Sequence, residues 1–232
     1  MKKNGFTLAE VLITLAIIGV VATMTLPALM NNANEQQYIT GFKKGINTLT
    51  EAAQLSSAID NIDYSNLATV ETQGTTSIFD SNSPTLYALI ASRVNIDPKV
   101  TGDRRGKDLK TDLNLGDGCK AGNFAIFFRD GAALYYPEDM DYDELKKRQD
   151  DGLVGGIKAV YDVNGAKGPN VLSNCNANTE GEEDTYEATT ATDMYPRCKD
   201  AKQRVIGDQF GVRLRGNIAV PNGEAARWAF NK

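Results

Sequence analysis

MKKNGFTLAEVLITLAIIGVVATMTLPALM, residues 1–30, is the stretch on which the reading of this chain turns. Two lysines and an asparagine lead to Gly5, and a long apolar run follows Glu10. From Val11 to Asn34, 24 positions, no residue is charged. As an α-helix at 1.5 Å per residue that run reaches about 36 Å, enough to cross a bilayer core. Lys2 and Lys3 ahead of it favour a cytoplasmic N-terminus. An ordinary secretory signal fits poorly, because its apolar region is shorter and its cleavage site follows that region. Here the Gly5–Phe6 junction comes first, and Glu10 sits inside the start of the run. A carboxylate in a membrane helix costs about 2.5–3.5 kcal/mol on insertion scales, so this one calls for a function.

Gly5, Phe6, Thr7, Leu8 and Glu10, with the uncharged run behind them, resemble the N-terminal signal of type IV prepilins and of type II secretion pseudopilins. The resemblance covers about thirty of the 232 residues. It implies cleavage after Gly5 by a prepilin peptidase, with residues 1–5 as leader, and N-methylation of the new amine on Phe6. It implies an inner-membrane anchor before assembly and an inner-membrane assembly platform as partner. Residues 6–30 would then pack with those of other pilin-like subunits in a filament core. The resemblance also pairs Glu10 with the free amine of a neighbouring subunit. Opposite charges that are costly apart in an apolar bundle select the register that joins them.

Composition narrows the function classes. The formal charge is −5, and −7 once Lys2 and Lys3 are removed, which argues against a general affinity for nucleic acid. There is no histidine. That removes imidazole catalysis and the commonest metal ligand, and no nucleophile motif converges with the serines and acids. No enzyme is expected.

The apolar period continues past the membrane-length run. Ile39, Phe42, Ile46, Leu49, Ala53 and Ser56 recur at three- and four-residue steps, with Lys43, Lys44, Asn47 and Glu51 between them. This predicts one helix over residues 6–60, its second half (31–60) amphipathic and laid on a core. Pro27 removes a backbone hydrogen bond and is expected to bend or loosen the helix, with Gly19 upstream as the partner position. Gly41 and Gly45 lower helix propensity further on. A short helix is expected from Pro84 to Val94, capped by Asp80, Ser81 or Ser83. Residues 97–118 read as loop, anchored by Leu109, Leu113 and Leu115.

Then the period becomes two. Residues 124–129 and 132–136 flank Asp130-Gly131, a hairpin signal. Residues 156–163 form a third strand, and 211–215 with 217–220 a last pair. The expectation is an α+β fold: a long N-terminal helix packed against a small antiparallel β-sheet, in a domain over 61–232. That is also the plan the resemblance implies.

Residues 161–170 and 207–210 resemble pieces that lie close in sequence in some pilin-like soluble domains. About thirty-five residues separate them here, so residues 173–204 read as an insertion. It has six acids and no base between Lys167 and Arg197, too polar to fold alone. Of the three cysteines, a Cys175–Cys198 disulfide would staple it, contributing roughly 3 kcal/mol. Cys119 could instead pair with either. Asp162 and Asn164 are similar to the start of a calcium loop, and Asp139, Asp141 and Asp143 alternate as such ligands do, though no complete loop follows. Otherwise no cofactor is expected.

The sequence therefore reads as a structural subunit of a type IV pilus or of a type II secretion pseudopilus. Its globular domain would be periplasmic before assembly and then part of a filament that can reach the cell surface. Two other readings remain: a minor tip subunit acting as a binding or adhesion module, and a signal-anchored periplasmic protein unrelated to filaments.

Overall fold

A computed structural model describes residues 7–67, 85–97, 115–116, 118–119, 123–137, 156–175, 198 and 204–232. It divides into two units, Met1–Gln37 and Tyr38–Lys232. Helix α1, Leu8–Asp60, has 53 residues and is helical without interruption through Gly19 and Pro27.

In the first unit α1 buries almost nothing. Every described side chain from Leu8 to Leu26 is exposed except Ala22, which is half-buried. The segment Leu8–Leu26 is long and apolar enough to cross a membrane.

In the second unit, α1 carries the stripe that its periodicity predicts. Ile39, Phe42, Ile46, Leu49, Ala53 and Ser56 are all buried. The five apolar ones pack in one core with one face of a five-stranded antiparallel sheet of order β1-β2-β3-β4-β5. The strands are β1 Asn123–Phe127, β2 Ala133–Pro137, β3 Ile157–Asp162, β4 Gln209–Arg215 and β5 Ile218–Pro221. Their boundaries differ from the expected ones by one or two residues. Side chains alternate between faces, as a pleated strand requires. Tyr161, Phe210, Val212 and Leu214 face α1, and the Phe42 and Phe210 rings stack with centroids 4.4 Å apart. On the opposite face Ala125, Phe127, Ala133 and Tyr135 form a smaller cluster with Leu115 and Cys119.

Gly41 and Gly45 have a packing reason. A Cβ on Gly41 would collide with Val163, and one on Gly45 with the Tyr161 ring. Their bare backbone lets α1 lie close on the end of β3. Farther along, Ala219 N–H donates to Thr50 Oγ1 (3.1 Å), which fastens β5 to the helix.

Helix α2, Leu86–Arg93, buries Leu86, Tyr87, Leu89 and Ile90 in the same core. Its cap is Thr85, whose hydroxyl accepts from Ala88 N–H at 3.1 Å. The caps expected at Asp80, Ser81 and Ser83, and Pro84 with them, lie outside the described residues. Arg93 and Asp60 form an ion pair joining α2 to the end of α1. Helix α3, Glu224–Asn231, was not expected from the sequence. Its eight residues are short for a helix to be read from the sequence, and Ala226 and Ala229 reach the main core.

Candidate functional site

The N-terminal site begins at Thr7, since Gly5 and Phe6 lie outside the described residues. Thr7 donates twice to one carboxylate oxygen, Glu10 Oε2, through its backbone N–H and its hydroxyl, each at 2.8 Å. In return Glu10 N–H donates to Thr7 Oγ1 at 3.3 Å. This is a reciprocal capping box, which satisfies orphan amides of the first turn. The carboxylate also complements the positive end of the helix. Sequence reasoning gave Thr7 no structural part, although Thr-x-x-Glu before an apolar run is the signature of such a box.

Downstream, the hydroxyls of Thr14, Thr23 and Thr25 donate to the carbonyls of Val11, Val20 and Val21 at 2.9, 2.9 and 3.0 Å. Their polar atoms are thus spent inside the helix, and its outer surface stays apolar. Pro27 has no N–H, so the Thr23 carbonyl lacks its usual donor four residues on. A Cβ on Gly19 would meet nothing within 4 Å, so nothing among the described residues requires glycine there.

The two sequence pieces at 161–170 and 207–210 come together at the far face of the sheet. Asp162 and Gln209 are cross-strand neighbours in β3 and β4. Asp162 Oδ2 accepts from Gln209 Nε2 (2.8 Å) and from the Tyr135 hydroxyl (3.0 Å). Its Oδ1 accepts from the amides of Asn164 (3.1 Å) and Gly165 (2.8 Å). Gln209 Nε2 also donates to the Leu115 carbonyl, and Gln209 Oε1 accepts from Gly118 N–H. Asp208 accepts from the amides of Asn170 and Val171 at 2.9 and 2.8 Å. Burial pushes the Asp162 carboxyl up to about 6, with the nearby Asp208 charge adding to it and the hydrogen bonds working against it.

Both Asp162 oxygens are engaged by protein donors, and Asn164 Nδ2 donates to the Gly168 carbonyl at 3.0 Å, while Asn164 Oδ1 is buried and has no hydrogen-bond partner among the described residues. Calcium needs six to eight oxygens. Among the described residues no group of three or more Asp, Glu, Cys or His could hold a metal. Asp139, Asp141 and Asp143 lie outside the described residues.

The roots of the expected insertion are tied together. Cys175 and Cys198 form a disulfide with Cα atoms 5.0 Å apart. Cys119 is buried and not disulfide-bonded. Asn174 and Val205 exchange backbone hydrogen bonds at 3.0 and 2.9 Å, and Ser173 Oγ accepts from Gly207 N–H at 3.0 Å. The disulfide packs on Ala225 of α3 and on Trp228, over which Arg204 lies 3.9 Å from the ring centroid.

A cleft of about 380 Å³ lies between α1, the end of α2 and the β1–β2 turn, beside Tyr161. Lys44 and Asp130 bridge it at 2.7 Å. Its groups tie the helix to the hairpin and show no catalytic convergence.

Residues 1–26 match the family model described as the prokaryotic N-terminal methylation motif. No curated protein and no solved structure matches the chain. The chain carries the type IV pilin and pseudopilin prepilin signal over those residues.

Proposed function

We propose that this chain, carrying a prepilin-type signal, is a structural subunit that polymerises through its N-terminal helix into a type IV pilus or a type II secretion pseudopilus. One observation carries the reading. The methylation motif at 1–26 runs into a helix whose apolar surface, Leu8–Leu26, has no cover among the described residues. Such a surface needs lipid before assembly and other apolar helices after it. Repeated head-to-tail contact that does not close gives a filament. The partners are prepilin peptidase, the inner-membrane assembly platform and other pilin-like subunits. The globular domain would stand in the periplasm first and on the filament later. Its role is structural rather than enzymatic.

In this reading Glu10 pairs with the methylated amine of the next subunit's Phe6. Gly19 and Pro27 allow the helix to loosen between them inside the filament. A second reading, a minor subunit at the filament tip that binds a ligand, draws support from the insertion. Its ends are fixed by the Cys175–Cys198 disulfide and the Asn174–Val205 pair, a rigid root for a specialised loop.

Mass spectrometry of membrane and sheared-filament fractions tests the proposal. The mature chain should begin at Phe6 carrying one added methyl group. A chain that keeps Met1, or one cut between residues 31 and 33, would overturn it.

A further inference from the structure

The cleft beside Tyr161 gathers polar groups that the fold leaves unspent. Arg129 from the β1–β2 turn, Asn95 just past α2 and Thr48 from α1 all line it. Arg129 Nε donates to the Ile96 carbonyl at 3.3 Å, which anchors the guanidinium, while its two terminal nitrogens have no partner among the described residues. The Thr48 hydroxyl and the Asn95 side-chain amide have none there either. Thr14, Thr23 and Thr25 differ, since their hydroxyls return to helix carbonyls. Asp130 also lines the cleft, but Lys44 already holds it at 2.7 Å. The free groups are therefore rich in donors and carry the uncompensated positive charge of Arg129. Beneath them Val94, Leu49 and the Phe128 and Tyr161 rings, whose centroids are 6.1 Å apart, form an apolar floor.

We infer that this cleft is a binding site for a small carboxylate carried on a compact apolar body, such as a single aromatic ring. Arg129 presents its free fork to the two carboxylate oxygens, and Asn95 and Thr48 supply further donors. The ring then lies toward the apolar floor. A volume of about 380 Å³ is near the lower end for small-molecule sites, which fits a ligand of about a dozen heavy atoms. An inorganic phosphate dianion would leave the floor unused, and its second charge would meet Asp130. Because Nε is anchored in advance, less ordering cost falls on binding. The inference concerns the globular unit and stands whether or not the chain polymerises.

The experiment uses the isotope-labelled full chain in phospholipid nanodiscs at neutral pH, with empty nanodiscs as the blank. It is titrated with hydrocinnamate and, as the uncharged match, with hydrocinnamamide. Backbone amide shifts of residues 44–49 and 127–131 report on the cleft. The acid should shift them saturably with a Kd of about 1 mM, in keeping with a ligand of about a dozen heavy atoms. The amide should bind about tenfold more weakly, and Arg129→Gln should weaken the acid by about the same factor without changing the amide. Thr48→Phe, which puts a ring into the cleft, should remove binding of both. Equal affinity for acid and amide in the wild type would overturn the inference. So would undiminished binding of the acid by Arg129→Gln or Thr48→Phe, shifts confined to residues outside the cleft, or no saturation by about twentyfold above the expected Kd.

Discussion

Gly45→Ala sets two effects of known sign against each other. Alanine is the better helix former, by about 1 kcal/mol in a helix interior. Against that, the new Cβ would sit 2.8 Å from Tyr161 Cε2 and closer still to Cζ and Cε1. Tyr161 is 4% exposed and its ring leans toward Phe128, with centroids 6.1 Å apart. The ring borders the neighbouring cleft but is otherwise packed, so relief is partial. Overpacking costs about 1–3 kcal/mol, and a clash this close falls in the upper part of that range, about 2–3 kcal/mol, above the propensity gain. We expect a net loss of about 1–2 kcal/mol, or a Tm lower by roughly 2–8 °C for a unit of this size. Urea unfolding of the detergent-solubilised chain, followed by the fluorescence of Trp228, measures it. Gly19→Ala is the control, since a Cβ there meets nothing within 4 Å and only the propensity gain applies. If Gly45→Ala equals or exceeds wild-type stability, α1 does not lie on β3 in the described register, and the helix-on-sheet argument fails.

Two further predictions concern the domain. Asp162 has a carboxyl pushed up to about 6 against an ordinary 3.8, so ionising it opposes folding. Its drag is small below pH 4, grows between pH 4 and 6, and levels off above 6 at up to about 3 kcal/mol. Relative to Asp162→Asn, the wild-type domain should therefore lose stability between pH 4 and pH 7, and a flat difference in urea titrations would refute this. Cys198→Ser should cost about 3 kcal/mol, because Cys175 and Cys198 are 23 positions apart and their bond restrains the unfolded chain. A change below about 0.5 kcal/mol would mean that the backbone pairing at Asn174 and Val205 holds the insertion by itself.

The parts of the fold legible in the sequence are those where one short-range pattern decides. The α1 stripe at Ile39, Phe42, Ile46 and Leu49 and the alternation through β3 and β4 depend on neighbours three, four or two positions away. The Asp130-Gly131 turn is equally local, and Gly131 has the positive φ of 96° that such a turn exploits. The Cys175–Cys198 staple was legible from the composition around it. What was not legible acts across distance. Gln209 meets Leu115 94 positions away and Asp162 47 positions away, and neither residue type announces such a pairing. The missing role of Gly41 and Gly45 has the same cause, since the helix alone records only their low propensity. Helix α3 was missed because its eight residues gain helical order chiefly by packing on the disulfide and the sheet. Thr7 differs from these, because its capping signature is local.

The far-face polar network explains how a sheet tolerates a long departure between two adjacent strands. β3 ends at Asp162 and β4 starts at Gln209, yet these two residues are direct cross-strand partners. Apolar alternation sets which face each residue takes but leaves the strand ends free to slip. The carboxylate of Asp162 removes that freedom: it holds the turn at Asn164 and Gly165, reaches β2 through Tyr135, and reaches β4 through Gln209. Asp208 then holds the outgoing strap at Asn170 and Val171. Each group is buried, so a slipped register would leave it without partners at a cost of about 1–3 kcal/mol apiece. The chain is thus closed at the sheet before the insertion begins, and the disulfide restrains only what lies beyond. That separation lets the insertion vary without disturbing the sheet, and in the proposed filament it would leave the joining of subunits to the first helix.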